Sequence, residues 1–276
     1  MNIRVALNAV LVSLLLSGCT SSGQRLNERA REAGLEIVRV TAGEFPSTVY
    51  LKRSAGADHA TASSASKPLK VFLESDGLPW RGRTPSDDPT PHQPVALEML
   101  MRSPAPAAYI TRPCYSGLRS DKCNFELWTG ARYSSEVVES MVATVREAQR
   151  RAGAERVALI GYSGGGTLAV LIAERLENVA SVITVAANLD TDAWTDHHEY
   201  LRLSQSLNPA LSEKPHPWPE LHLRGANDRV VPPTTTEKYF SRYPQAQQQT
   251  IDGFDHICCW VRDWPILSET PTALAP

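Results

Sequence analysis

Val157-Ala158-Leu159-Ile160, followed at once by Gly161-Tyr162-Ser163-Gly164-Gly165, is a buried-strand pattern running into a Gly-x-Ser-x-Gly turn. Beyond the turn, Thr167 to Leu176 is apolar almost throughout and reads as a buried helix. Ser163 therefore stands where a strand turns sharply into a helix. The glycines have a steric reason. A serine on so tight a turn projects its hydroxyl clear of the backbone, and the residues two before and two after it pass too close for a Cβ. The spacing alone is a weak signal; the strand before it and the helix after it make Ser163 a candidate nucleophile.

The same alternation extends in both directions. Leu35 to Thr41 and Thr48 to Leu51 predict an antiparallel N-terminal pair, and Leu69–Leu73, Ala107–Thr111, Val179–Ala186, Glu220–Gly225 and Gln247–Ile251 predict further strands. Helices are predicted over 94–101, 134–151, 165–176 and 234–243, and from Trp260 onwards. In the second of these, Val137, Val138, Met141, Val142, Val145 and Ala148 follow the 3-4 period behind a capping Ser134. Strands alternating with helices predict an α/β domain with a mostly parallel central sheet covered on both faces. The Ala/Ser-rich stretch from Ser54 to Lys67 reads as a loop. The long polar segment 188–219 reads as a lid or cap inserted after a strand.

Residues 1–18 carry one positive charge, at Arg4, and an apolar run from Val5 to Leu16 that is too short to cross a bilayer. The run ends in Leu16-Ser17-Gly18-Cys19, which resembles a bacterial lipobox. That resemblance implies a cleaved signal peptide over 1–18 and a lipid, palmitate included, on Cys19. It also implies attachment to the cell envelope by lipid alone. Thr20 after the cysteine resembles outer-membrane sorting, facing the periplasm or the cell surface. Residues 19–34 are expected as a polar tether, 35–267 as the folded domain and 268–276 as a tail.

With 28 basic and 30 acidic residues the net charge is −2, and no basic stripe suggests a nucleic-acid partner. Four of the five cysteines follow Cys19. Cys114 and Cys123 are the expected disulfide, whereas Cys258 and Cys259 are open between a vicinal bridge and two thiols. Their spacing fits no zinc pattern, so no metal site is expected.

A nucleophilic serine needs a base, and the base an orienting acid. Gly225-Ala226-Asn227-Asp228-Arg229-Val230-Val231-Pro232 follows one predicted strand, and Gly253-Phe254-Asp255-His256 follows the last. With Ser163 these motifs give the chain order Ser, Asp, His. On them, residues 35 to 267 resemble an α/β-hydrolase-fold serine hydrolase of the esterase and lipase kind. The resemblance implies Ser163 as nucleophile, His256 as base and Asp228 as orienting acid, with Asp190 or Asp192 as substitute acids. Asp255 reads as a loop acid.

The oxyanion donors implied are the amide of Gly164 and one from the loop Glu74-Ser75-Asp76-Gly77-Leu78, at Gly77 or Leu78. Many relatives carry His-Gly where this chain has Asp76-Gly77. Asp76 is either a turn residue or pinned by Arg81 or Arg83. The activity implied is cleavage of an ester, thioester or amide of a small acyl substrate, with no metal or organic cofactor. Acyl transfer and peptide cleavage use the same machinery, and a non-catalytic binding lipoprotein is the alternative outside enzymes.

Overall fold

A computed structural model describes residues 21–42, 44–54 and 67–268 of the 276-residue chain. Cys19, the apolar leader, most of the Ala/Ser-rich stretch after Ser54 and the last eight residues lie outside the described residues. Eight strands make one sheet: β1 (Glu36–Ala42), β2 (Phe45–Lys52), β3 (Leu69–Leu73), β4 (Ala107–Ile110), β5 (Val157–Tyr162), β6 (Val179–Val185), β7 (Glu220–Gly225) and β8 (Gln247–Ile251). Their order in space is β1-β2-β4-β3-β5-β6-β7-β8. β2 runs antiparallel to β1 and β4, and every other pair is parallel.

Side chains alternate across the strands, so each strand feeds two cores. Val71, Leu73, Ala108 and Ile110 face one layer, with α3 (Ser135–Ala152) and α4 (Gly164–Ala173). Phe72 and Tyr109 face the other, with α2 (Val95–Arg102) and α7 (Trp260–Leu267). The sheet is thus covered on both faces, which is why β4 and β5 are apolar throughout. Ser134 caps α3 through Val137 N–H at 3.3 Å.

Within the expected tether 19–34, the described residues from Ser21 onward depart from it. Residues 22–32 form a packed helix, α1 (Ser22–Glu32). Ser21 Oγ accepts the Gln24 amide at 3.1 Å and Gln24 Oε1 accepts the Ser21 amide at 2.8 Å, a capping box. Leu26 and Ala30, one turn apart, bury in the second core, and Tyr50 donates to Asn27 Oδ1 at 3.0 Å. The reason the sequence concealed this is its brevity: two apolar residues in a polar stretch make no visible period.

Segment 188–219 holds α5 (Thr191–His197) and a 3-10 turn at Pro209–Leu211. It is tied to the domain where the Leu207 amide meets Tyr133 O and the Ser206 hydroxyl donates to Gly130 O at 2.8 Å. After β7, the predicted helix resolves into a 3-10 turn and α6 (Glu237–Arg242). Cys114 and Cys123 are bonded, with Cα atoms 5.8 Å apart, and Cys258 and Cys259 also pair.

Candidate active site

β5 delivers Ser163 at φ 53° and ψ −125°, in the left-handed region that L-residues rarely occupy. The conformation is held by its surroundings. The Ser163 amide donates to Val185 O at 2.8 Å, and its carbonyl accepts Gly166 N–H at 2.9 Å. A Cβ on Gly161 would come within 2.2 Å of Gly165 O, and one on Gly165 within 2.2 Å of Leu73 O. The close approach that the motif implied is present.

His256, in the loop after β8, places Nε2 3.1 Å from Ser163 Oγ and Nδ1 2.8 Å from Asp228 Oδ2. Asp228 follows β7, its carboxylate fully buried, and Oδ1 accepts the amides of Val230 and Val231 at 2.8 Å each. Three donors thus fix the carboxylate against the imidazole, and with the ring proton on Nδ1 toward Asp228, Nε2 is free to accept the serine proton. The substitute acids have other partners. Asp190 caps α5 through the amides of Asp192 and Ala193, and Asp192 pairs with Arg202 at 2.8 Å. Asp255 shapes the histidine loop, accepting the amides of Ile257 and Cys258, which hold its carboxyl below the usual range.

Tyr162, the variable residue of the motif, was not singled out from sequence. Its hydroxyl donates to the His256 carbonyl at 2.8 Å, as does Trp260 Nε1 at 3.1 Å. The base is therefore held through its backbone as well as its ring.

The Gly164 amide opens α4, where no intrahelical carbonyl can satisfy it. The loop after β3 offers the two amides expected as second donor. Leu78 N–H, one of the two expected, donates to Pro89 O at 2.8 Å and is engaged. Tyr115 OH donates to the Asp76 carbonyl at 2.9 Å, so the planar trans peptide aims the Gly77 amide the opposite way. That amide has only a long 3.4 Å contact with Ser75 Oγ. Gly77 sits at φ +68°, and a Cβ there would meet Pro89 O at 1.9 Å.

Asp76 pins this loop, though not through Arg81 or Arg83. Oδ1 takes Arg112 Nη2 at 2.5 Å, Oδ2 takes Arg132 Nη1 at 2.8 Å, and Tyr133 OH lies 2.8 Å from both. Burial pushes the Asp76 carboxyl up, but the two guanidiniums outweigh it and hold it below the usual range. The cluster holds two cations against one anion, beside Gly164. The partners lie 36 and 56 residues away in sequence, so no local pattern marks them. Beside it, burial pushes Glu74 up to about 7 although its carboxylate accepts the amides of Ser75 and Ala96.

A cleft of about 1320 Å³ opens over Ser163 and His256. Trp80, Arg83, Trp194 and Tyr200 are among the aromatic and basic residues that line it. Tyr115 and Trp128 pack in the core instead, and Trp218 donates to Glu220 away from the cleft. Among the described residues no group of three or more His, Cys, Asp or Glu is arranged to hold a metal.

Comparison with known proteins gives a family and a fold. The family model Serine hydrolase (FSH1) matches residues 119–256, half of the chain and all three of Ser163, Asp228 and His256. No curated protein matches in sequence. Among solved structures, an alpha/beta hydrolase of unknown function from Agrobacterium tumefaciens superposes at TM-score 0.57 with 11% identity, over 87% of this chain and 99% of that one. An esterase from Pyrococcus furiosus superposes at 0.58 with 10% identity, over 87% and 88%. A puromycin-hydrolyzing peptidase from Mycobacterium tuberculosis does so at 0.57 with 18% identity, over 80% of this chain but 36% of that one. These likenesses show the fold.

Proposed function

The chain belongs to the serine hydrolase (FSH1) family, and from that premise we propose that it cleaves carboxylic esters through an acyl-serine intermediate. One observation carries the reading: the unbroken relay from Ser163 Oγ through His256 to the buried Asp228, with links of 3.1 and 2.8 Å. His256 Nε2 accepts the hydroxyl proton as Oγ adds to the acyl carbon. The oxygen that becomes negative is met by the amides of Gly164 and Gly77, with the positive balance of Arg112 and Arg132 nearby. Collapse breaks the bond to the leaving alcohol, which takes the proton from His256. Water then repeats the sequence on the acyl-serine and frees the acid.

The lipobox-like Leu16-Ser17-Gly18-Cys19 supports a second part of the reading, an enzyme anchored to the bacterial envelope by lipid on Cys19. Labelling with a fluorophosphonate, wild type beside Ser163→Ala, tests the chemistry. Label that depends on Ser163 is expected; folded wild type left unlabelled would end the hydrolase reading. Esters graded by acyl length, with thioester and peptide substrates alongside, then test the choice of bond. Release from membranes by Cys19→Ser tests the anchor.

A further inference from the structure

Among the described residues nine large apolar side chains stand exposed, and seven of them line the cleft over Ser163. They come from five separate segments. Leu78 and Trp80 lie on the oxyanion loop, Phe125 follows the disulfide, Tyr200 and Leu201 follow α5, and Val230 and Ile257 neighbour Asp228 and His256. Exposed apolar residues scattered singly need no explanation; a set gathered around one opening does. Side chains that merely walled a groove would cover one another. Leu201 is 92% exposed and Ile257 57%, so only a surface laid across the mouth would cover them. Arg81, Arg83 and Arg229 stand exposed beside Trp80 and Val230, where cationic groups would meet phosphates.

The first described residues, at the start of α1, lie at the same end of the molecule. Residues 111–116 leave the C-terminal end of β4, which runs parallel to β3 and, through it, to β5, the strand that ends at Ser163. The first turn of α1 packs there: a Cβ on Gly23 would touch the Ser116 backbone at 2.6 Å. Ser116 N–H in turn donates to Thr90 Oγ1 at 2.5 Å, one residue before the cleft-lining Pro91. Cys19 is two residues before Ser21, which caps α1, a reach of at most about 7 Å.

We propose that the mouth of the cleft docks on a lipid surface, so that Ser163 takes its ester from the bilayer in which the anchor sits. This rests on the hydrolase reading of the cleft and on lipid at Cys19. The apolar side chains enter the outer acyl region, Trp80 lies at the interface, and the arginines stay among the headgroups. The substrate class that follows is an amphiphilic ester with an acyl chain long enough to partition into a membrane.

The test uses the full lipidated chain carrying Ser163→Ala, bound to phosphatidylcholine vesicles whose acyl chains are brominated. Bromine quenches tryptophan on contact; Trp194, which also lines the cleft, is replaced by Phe throughout, so that Trp80 reports for the rim. Quenching is expected in this protein, and it is lost in Trp80→Phe. It is lost again when Leu201→Glu and Ile257→Glu are introduced with Trp80 in place and the melting curve unchanged. Equal quenching with and without Trp80 overturns the proposal, whether the rim faces water or is covered by residues 1–20. Fluorophosphonate labelling of the Ser163 form separates the two readings. Label without Trp80 quenching overturns docking alone, and Trp80 quenching without label supports docking while removing the hydrolase.

Discussion

Asp76 lies with its carboxylate against Gly164, the residue after the nucleophile: a Cβ at Gly164 would come within 2.0 Å of Asp76 Oδ1 and 2.5 Å of Tyr133 OH. The loop after β3 and the start of α4 are thus fitted to each other without room for a methyl group. Gly164→Ala is expected to push the two apart and misplace both oxyanion amides, lowering kcat by about 10²–10³ as for removal of such a donor elsewhere. Steady-state kinetics beside a melting curve checks this. A variant with wild-type kcat would mean that the amides do not receive the oxyanion.

Asp76→Ala leaves Arg112 and Arg132, both buried, without their anion. Removing one partner of a buried pair costs about 3–5 kcal/mol, because the remaining charge is uncompensated. Urea unfolding should show a loss of that order. Partial recovery is expected when Arg132→Met is added, since one unpaired cation is then gone. No recovery would mean that Asp76 acts through something other than these charges.

Asp228→Asn keeps an oxygen for the amides of Val230 and Val231 but turns an N–H toward His256 Nδ1. The imidazole is then driven to the tautomer that carries its proton on Nε2 and cannot accept one from Ser163. Folding should persist while kcat falls on the order of 10⁴-fold, the loss seen for the same change in another serine-histidine-aspartate enzyme. Activity within a few-fold of wild type would move the acid elsewhere.

His216 is enclosed between Glu220, 2.7 Å from Nδ1, and Glu174, 3.3 Å from Nε2, and stacks on Tyr243. Burial pulls its pKa down, but the two carboxylates outweigh it and raise it to about 9 from an ordinary 6.5. A raised folded value means stability complete below 6.5 and lost as pH climbs through 9. The loss is expected to be on the order of 3 kcal/mol. Urea unfolding between pH 6 and 10 reads it, and His216→Phe should flatten that slope. A slope unchanged by the substitution would place the titration on another group.

Cys114 and Cys123 close a loop with a sequence separation of 9. Opening it by the paired Cys114→Ser and Cys123→Ser substitutions should lower stability by about 2–3 kcal/mol, the loop-entropy value for that length. Equal melting of both forms would mean that the unfolded chain is already confined there.

Much of the site can be read from the chain because each candidate catalytic residue lies in the loop after a strand. Val157–Ile160 is apolar and Glu220–Gly225 alternates, and Ser163 and Asp228 each follow by three residues; Gln247–Ile251 is polar, and His256 comes five residues after it. The grip on the oxyanion loop is different in kind. Whether Gly77 or Leu78 donates depends on Tyr115 and Pro89, and what holds Asp76 depends on Arg112 and Arg132. Nothing in the neighbourhood of Asp76 in sequence encodes those encounters. Helix α1 was hidden for a third reason. Its capping pair, Ser21 and Gln24, sits in a polar run that reads equally well as a spacer.

That helix has a consequence for the range over which the enzyme works. Sixteen flexible residues between Cys19 and β1 would let the domain roam over roughly 20 Å. With the chain folded from Ser21 onward, the slack between a lipid on Cys19 and the domain is two residues. Under the proposed anchor, a molecule of this build would sample a thin layer at the membrane rather than the volume beyond it. Its encounter rate is then set by what arrives in that layer and by sideways diffusion in the plane of the bilayer.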